Sequence, residues 1–592
     1  MQRMSVPGER SEADKAKPVA ERSGGALLAE LGVGVTVTDA VQVAGKRAAA
    51  KPVVLEPAPD DVVEVTLEGG ARLYLPAAQA PELLAAPPGR GVAEPGTVPL
   101  ASTLSVGDGT RGIADWAIEG LRVIGVDLAG KTAKEVAGRV DRKLVPEPGL
   151  MRWNGVLTTP IRERLPPSKE PWLLFLHGTF SSTQGSFGKL AAQGAQWRRL
   201  QTAYPDRILA LDHHTLTRSP IDNARDVLAL LPEGAPLHLV GYSRGGLVGE
   251  LLCRGALENR APFEDDELAL FADAGHGEQR AALQALGTSL TELQPAIGRY
   301  VRVACPARGT TLASERIDRW LNMVLNAIGL GLGAAAGPIL GEAYDLVTAL
   351  LLAVIKEKAD ASTIPGLEAM IPGSPLIKLL NRPGVVAKTD LAVLEGDIQG
   401  AGILGRLKVL ATDLFFREDH DLVVNTSAMT GGMARTPTAR AFLTQGPEVS
   451  HFNYFVNPKT AERVVDGLLR ADDADGGFKA VAVPELVGVP AARRRGGERR
   501  PVVFVLPGIT GTVLWWKDKR IWLDLPQLAF GGLRRLAIDA PDITAKEPLS
   551  LYYGALCSHL GSTHEVVPWG YDWRRSIQDN ARDLATALNG AL

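Results

Sequence analysis

Between residues 236 and 253 the chain reads PLHLVGYSRGGLVGELLC: a largely apolar strand, a turn holding Gly241, Gly245 and Gly246, and a helix-forming run. No other stretch restricts the fold as much. A strand that is apolar at consecutive positions is covered on both faces, which places it inside a parallel sheet flanked by helices. The turn is tight enough that a Cβ at Gly241 or Gly245 would crowd the backbone. The chain therefore reverses sharply and lifts the apex residue, Ser243, above the sheet. Gly-x-Ser-x-Gly between a strand and a helix reads as a nucleophile elbow.

Neighbouring segments repeat the pattern. PWLLFLHGTF (171–180), RILALDHHT (207–215), YVRVACP (300–306) and LKVLATDLFF (407–416) read as further buried strands, and SPIDNARDVLALLP (219–232) as a helix between two of them. Alternation of this kind predicts the α/β class, with a doubly wound, mostly parallel sheet over 171–470. Within it, about 314–405 exceeds what a minimal sheet needs and is expected to form a helical lid or cap. Its most apolar part, 320–360, is interrupted by Glu342 and Asp345, and neither apolar piece, 327–341 or 346–355, reaches the roughly 20 residues of a membrane span. Two readings stay open: a lid over an acyl pocket with membrane-surface contact through 320–355, or a buried cap.

The rest of the chain divides by composition. Residues 1–30 are polar and expected to be disordered; 31–110 read as a small β-rich module and a Pro/Gly-rich linker. A mixed connector covers 111–170, where KTAKEVAGRVDRKLV (131–145) has helical spacing. A basic linker, 471–500, precedes a second α/β segment over 501–592. With 45% apolar residues the chain can build several cores, and a net charge of −3 gives no global attraction to nucleic acid. Three distant cysteines (Cys253, Cys305 and Cys557) suit free thiols in a reducing compartment. The charged N-terminus has no apolar h-region, so a cytoplasmic protein is expected.

A serine nucleophile needs a base, and the base an orienting acid, in the chain order Ser, acid, His. Of nine histidines, His451 in EVSHFNYFVNP is best placed, lying after the last expected strand. Asp421 is the expected acid, with Asp419 as its rival. The backbone N–H groups of Thr179 and Arg244 are the expected oxyanion donors. This chemistry requires no metal and no organic cofactor.

HGTFSST (177–183), LDHHTLTRSPIDNA (211–224), GYSRGGLVGELL (241–252) and CPARGTTLA (305–313) together resemble bacterial α/β-hydrolases of the lipase/esterase superfamily. They are also similar to hydrolase domains of bacterial multidomain proteins, some of which carry caspase-like modules. The resemblance covers 171–455, and implies an Asp-x-x-Val acid loop, which Asp421 and Val424 fit. Arg244 departs from it, since many lipases have Met or Gln there. VVFVLPGITGTVLW, KRIWLDLPQLAFGGL and VVPWGYDWRRSIQDNARDLATAL, all beyond residue 501, resemble the start of lecithin:cholesterol acyltransferase-like enzymes. No Gly-x-Ser-x-Gly follows them, so a partial domain without a nucleophile is expected, with Asp572, Trp573 and Arg574 structural.

The function these observations imply is cleavage of carboxylic esters, of a lipid or another apolar acyl group, through an acyl-enzyme on Ser243. Acyl transfer by the same residues, or a binding module with vestigial activity, are the alternatives.

Overall fold

The computed structural model describes residues 3–19, 25–45, 51–86, 97–104, 116–257, 260–310, 317–331, 338–398, 421–446, 449–471 and 476–480, and most of 502–591. The chain divides into two compact units, Met1–Val483 and Pro484–Leu592.

The first unit opens with a mostly antiparallel sheet of β1 (Arg3–Arg10), β2 (Gly34–Val43), β3 (Pro52–Leu55), β4 (Val62–Leu67), β5 (Arg72–Pro76) and β6 (Trp116–Asp127). Its order is β3–β1–β2–β6–β4–β5. Two expectations are corrected here. Residues 3–10 are not disordered: β1 lies between β2 and β3, burying Met4 and Val6 while Arg3 and Arg10 pair with Glu56 and Asp39. Its charged ends masked an alternating strand whose partners are distant in sequence. The module also extends past residue 110, because β6 pairs with both β2 and β4. After it comes helix α1 (Ala133–Leu144), opened by a Thr132–Glu135 capping box.

The second sheet carries the elbow. Its strands are β7 (Gly149–Trp153), β8 (Thr158–Pro160), β9 (Trp172–Leu176), β10 (Ile208–Asp212), β11 (Pro236–Tyr242), β12 (Ala296–Val303), β13 (Asp390–Ile398), β14 (Arg440–Gly446) and β15 (Lys479–Ala480). They lie in the order β8–β7–β10–β9–β11–β12–β13–β14–β15. From β10 to β14 every neighbour is parallel; β7, β8 and β15 add antiparallel edges. All five residues of β9 are buried, as a strand covered on both faces requires. Helices α2 (Pro220–Leu228) and α3 (Gly245–Cys253) flank β11 in sequence, and every residue of α3 is buried.

Three boundaries shift. The sheet begins at 149 rather than 171, with a hairpin the apolar-run criterion passes over. Residues 390–398, expected within the cap, form a central strand; Glu395 and Asp397 broke up its apolar pattern. LKVLATDLFF lies outside the described residues. The expected linker contributes β15, and 481–500 lie outside the described residues.

The insert itself is a helical hairpin, α4 (Ile317–Gly331) and α5 (Pro338–Glu357). Its apolar side chains, Trp320, Leu321, Val324, Leu325, Leu346, Leu350 and Leu351 among them, are buried. The helices pack on each other, on α1 and on β5. These side chains are therefore covered within the unit. Among the described residues, no helix is long and apolar enough to cross a membrane.

Two asparagines join the hairpin to the edge of β5. Asn322 accepts the Tyr74 N–H at 2.7 Å and donates to the Tyr74 carbonyl at 2.9 Å; Asn326 does the same for Arg72 at 2.8 and 2.6 Å. Four residues of helix advance about 6.0 Å and two residues of strand about 6.8 Å, so the two spacings nearly match. Side-chain amides thus stand in for a neighbouring strand. At the other end, Glu357 accepts the first N–H of α1, from Ala133, at 2.5 Å.

The second unit contains a parallel pair, β16 (Val502–Val505) with β20 (Glu565–Pro568). Between them β17 (Thr512–Trp516) pairs antiparallel with β18 (Lys519–Trp522) and β19 (Ile543–Pro548). Helix α6 (Ile577–Ala591) follows. Arg574 is paired with Asp572 at 2.7 Å, and the Trp573 indole N–H reaches the Thr512 carbonyl at 3.3 Å.

Candidate active site

Ser243 sits at the end of β11 with φ +52°, a conformation disfavoured for any residue with a Cβ. The fold holds it there. Its N–H donates to the Val303 carbonyl and its carbonyl accepts from Gly246, both at 2.9 Å. The glycines are steric necessities. A Cβ at Gly245 would stand 2.1 Å from the Leu176 carbonyl oxygen, one at Gly246 2.4 Å from Cys305 Sγ, and one at Gly241 2.8 Å from Gly246 Cα. Helix α3 begins two residues later, so its positive end faces the turn.

His451 Nε2 lies 2.9 Å from Ser243 Oγ and its Nδ1 2.7 Å from Asp421 Oδ2. All three residues are buried. The histidine is held by its backbone too: its N–H donates to the Asp421 carbonyl at 3.0 Å, and its own carbonyl accepts from the Tyr242 hydroxyl. Residues 242 and 243 therefore grip the same histidine at its two ends. Asp421 Oδ1 accepts the N–H groups of Val423 (3.1 Å) and Val424 (2.8 Å), which turns Oδ2 toward the imidazole. The Tyr454 hydroxyl donates to Oδ2 at 3.1 Å. Burial, with Asp421 next to each ring, pushes the Tyr242 and Tyr454 phenols well above their usual range. Asp419, the rival acid, lies outside the described residues.

The loop after β9 presses against the nucleophile. A Cβ at Gly178 would come within 2.9 Å of Ser243 Cβ, so only glycine permits the approach. His177 is fully buried beside it. Its Nε2 accepts the His213 N–H at 3.1 Å, which leaves the proton on Nδ1, 3.0 Å from the Gly178 carbonyl. Across a trans peptide the N–H opposes the carbonyl, so the Thr179 N–H projects away from His177. Burial keeps His177 and His213 from protonating, lowering both below the usual histidine value.

Residues 152–286 and 274–469 match the model of a domain of unknown function, DUF7379. The chain belongs to this family. No curated protein matches it. Among solved structures, lipase 1 from Pelosinus fermentans is 12% identical over 50% of this chain and 95% of its own, with a TM-score of 0.31. An esterase from Exiguobacterium antarcticum is 12% identical over 54% and 98%, with a TM-score of 0.25. The hydrolase olei00960 from Oleispira antarctica is 11% identical over 55% and 93%, with a TM-score of 0.24.

Arg244, the residue after the turn, is fully buried and directs its guanidinium away from solvent. It donates to the Gly366 carbonyl (3.2 Å), to Asn223 Oδ1 (3.0 Å) and to the Arg218 carbonyl. Burial lowers it to about 10. Its side chain is a strut under the segments 215–218 and 364–371. That wall is shared with the loop after β9, since the Thr179 hydroxyl meets Met370 Sδ at 3.9 Å and Phe180 N–H the Thr215 hydroxyl at 3.3 Å. Asp141 of α1 clamps the same loop, accepting the N–H groups of Thr215, Leu216 and Thr217.

Behind the acid turn, Glu250 of α3 is buried between Arg302 (2.5 Å) and Arg435 (2.7 Å). Burial opposes its charge, yet the two arginines hold it below its usual range. Arg302 also donates to the carbonyls of Met429 and Gly431, pinning the segment after Asp421 to the nucleophile helix. Breaking such a network by removing one member costs about 3–5 kcal/mol. Among the described residues, no group of three or more His, Cys, Asp or Glu is placed to hold a metal ion.

Tyr242, Tyr454, His177 and Asp141 are the site residues that sequence reasoning did not single out for these roles. Only His177 carried a signal, as part of HGTF; the other three meet the site through contacts long in sequence.

Proposed function

We propose that this chain is a serine hydrolase of the α/β-hydrolase type that cleaves carboxylic esters through an acyl-enzyme on Ser243. The observation that supports it is one imidazole within hydrogen-bond distance of both Ser243 Oγ and Asp421 Oδ2. In this reading Ser243 Oγ bonds to the ester carbonyl carbon while its proton passes to His451 Nε2. The displaced π pair becomes an oxyanion, received by the N–H groups of Thr179 and Arg244, each worth about 3 kcal/mol in such sites. The carbon–alkoxide bond then breaks, with His451 returning the proton to the departing alcohol. Water, deprotonated by His451, repeats the sequence and frees Ser243. Asp421 holds the imidazole and offsets its transient charge.

The α4–α5 hairpin buries many of its apolar side chains, and Trp320 lies against Phe180 of the loop after β9 at 6.3 Å between ring centroids. Acyl transfer to an alcohol is the second reading, supported only by the acyltransferase-like sequence beyond residue 501. A fluorophosphonate probe should label the wild-type chain and not Ser243→Ala, and p-nitrophenyl esters should be cleaved with the same dependence. Added alcohol that converts product from free acid to a new ester would favour transfer. Absence of both labelling and cleavage would refute the proposal and favour a binding module.

A further inference from the structure

The Asp421 carboxylate is fully buried, and its charge is carried by hydrogen bonds. Oδ1 receives two backbone N–H groups, from Val423 and Val424; Oδ2 receives His451 Nδ1–H at 2.7 Å and the Tyr454 hydroxyl at 3.1 Å. An ionised carboxylate offers about four acceptor sites, so this set leaves none to spare. The phenol has no freedom to turn elsewhere. Tyr454 is buried, and its hydroxyl occupies a recess over β13 that exists only because residue 396 lacks a side chain: a Cβ there would stand 2.0 Å from the hydroxyl oxygen. That backbone is itself held, since the Thr426 hydroxyl donates to the Gly396 carbonyl at 2.8 Å.

We propose that Tyr454 is a positioning residue that acts through Asp421, sharing with His451 the one carboxylate oxygen that orients the imidazole. The proposal rests on the Ser243–His451–Asp421 reading and deepens it. An acceptor divided between two donors pulls less strongly on each. With the phenol present, the Asp421 oxygen is divided between two donors instead of being aimed at His451 alone. Without it, the negative charge falls on the imidazole alone, and His451 keeps its second proton to higher pH. Among the described residues, Tyr242, on the His451 carbonyl, and Glu395, beside Gly396 on β13, are titratable neighbours of this cluster. Burial raises the Glu395 carboxyl to about 7, so it must be silenced when a pH profile is read.

The test uses the full chain with Tyr454→Phe, which removes one oxygen and keeps the ring, in wild-type and Glu395→Gln backgrounds. Fluorophosphonate labelling of Ser243 should slow several-fold at pH 7, and the acid limb of its pH profile should move up by roughly half a unit. Gly396→Ala, which drives the hydroxyl off the carboxylate by a different route, should move the limb in the same direction. A second readout needs no reactive serine: the proton NMR resonance of His451 Nδ1–H, assigned by its loss in His451→Gln, should titrate with a higher midpoint in Tyr454→Phe. A folded Tyr454→Phe chain with an unmoved acid limb and an unmoved His451 midpoint would overturn the proposal. If wild type fails to label while the midpoint still moves, the hydrolase reading fails and the assignment of Tyr454 stands.

Discussion

Replacing Asn322 by alanine should destabilise the first unit far more than an ordinary change on a helix. Asn322 is buried, as is Tyr74, whose N–H and carbonyl both end on its side-chain amide. Alanine leaves two buried backbone groups without partners, at about 1–3 kcal/mol each. Alanine's better helix propensity returns only about 0.7 kcal/mol at most. The net expectation is about 1–5 kcal/mol. Asn326→Ala strands the same pair of groups on Arg72, which is only partly buried, so water can replace the amide and the loss should be about 1 kcal/mol. Native-state hydrogen exchange is the suitable assay, because it reads the Tyr74 amide directly and does not require the whole unit to unfold in one step. Protection of Tyr74 should fall roughly 10-fold or more in Asn322→Ala, as expected for about 1.4 kcal/mol. Equal effects from the two substitutions, or an unchanged Tyr74 amide, would refute the reasoning that these side chains act as a surrogate strand.

Three further outcomes follow from the site. Gly178→Ala places a Cβ 2.9 Å from Ser243 Cβ; the oxyanion loop must retreat, and ester cleavage should fall about 100-fold, mainly in kcat. Unchanged kcat would mean the loop does not serve the reaction. Arg244→Met keeps the backbone N–H but removes the strut to Gly366, Asn223 and Arg218. Labelling of Ser243 should therefore persist while KM rises and thermal stability drops; loss of labelling in a folded variant would contradict a role confined to the wall. His238, half-buried beside Tyr204, has its value lowered by desolvation to about 4. Below pH 6.5 the unfolded chain takes up a proton that the folded chain refuses, so stability should decline as pH falls from about 6.5 to 4 and then level off. The share from this group is about 3 kcal/mol at most, and urea unfolding of His238→Gln at pH 7 and 4.5 should show a correspondingly smaller loss than wild type.

How much of this could be read from the chain depended on whether the deciding contacts were local. β9, β10, β11 and β12 were legible because burial on both faces writes itself into consecutive residues, and the elbow because its glycines lie within six positions. That Ser243, Asp421 and His451 could meet was legible from chain order together with the Asp-x-x-Val spacing that the resemblance implies. β1 was hidden by charge, since its ion-pair partners Asp39 and Glu56 lie on other strands. β13 was hidden because Glu395 and Asp397 interrupt its apolar run. Tyr454 was invisible: three residues past His451, nothing in its neighbourhood says that a gap at Gly396 awaits its hydroxyl.

The α4–α5 hairpin shows where composition stops and physical reading can still go further. An apolar run of this kind is compatible with a lid, a lipid-facing surface or a buried core, because the hydrophobic effect is indifferent to what excludes the water. The polar residues inside such a run are more informative, since each must find a partner when buried. Asn322 and Asn326 stand four apart on one helical face, and besides donating to the carbonyl four residues before it, each meets both backbone groups of one β5 residue at nearly that repeat. An open strand edge offers that repeat; a membrane interior and a fluid acyl pocket do not. Read this way, the asparagine pair argues for docking on a sheet edge even before its owner, β5, is known.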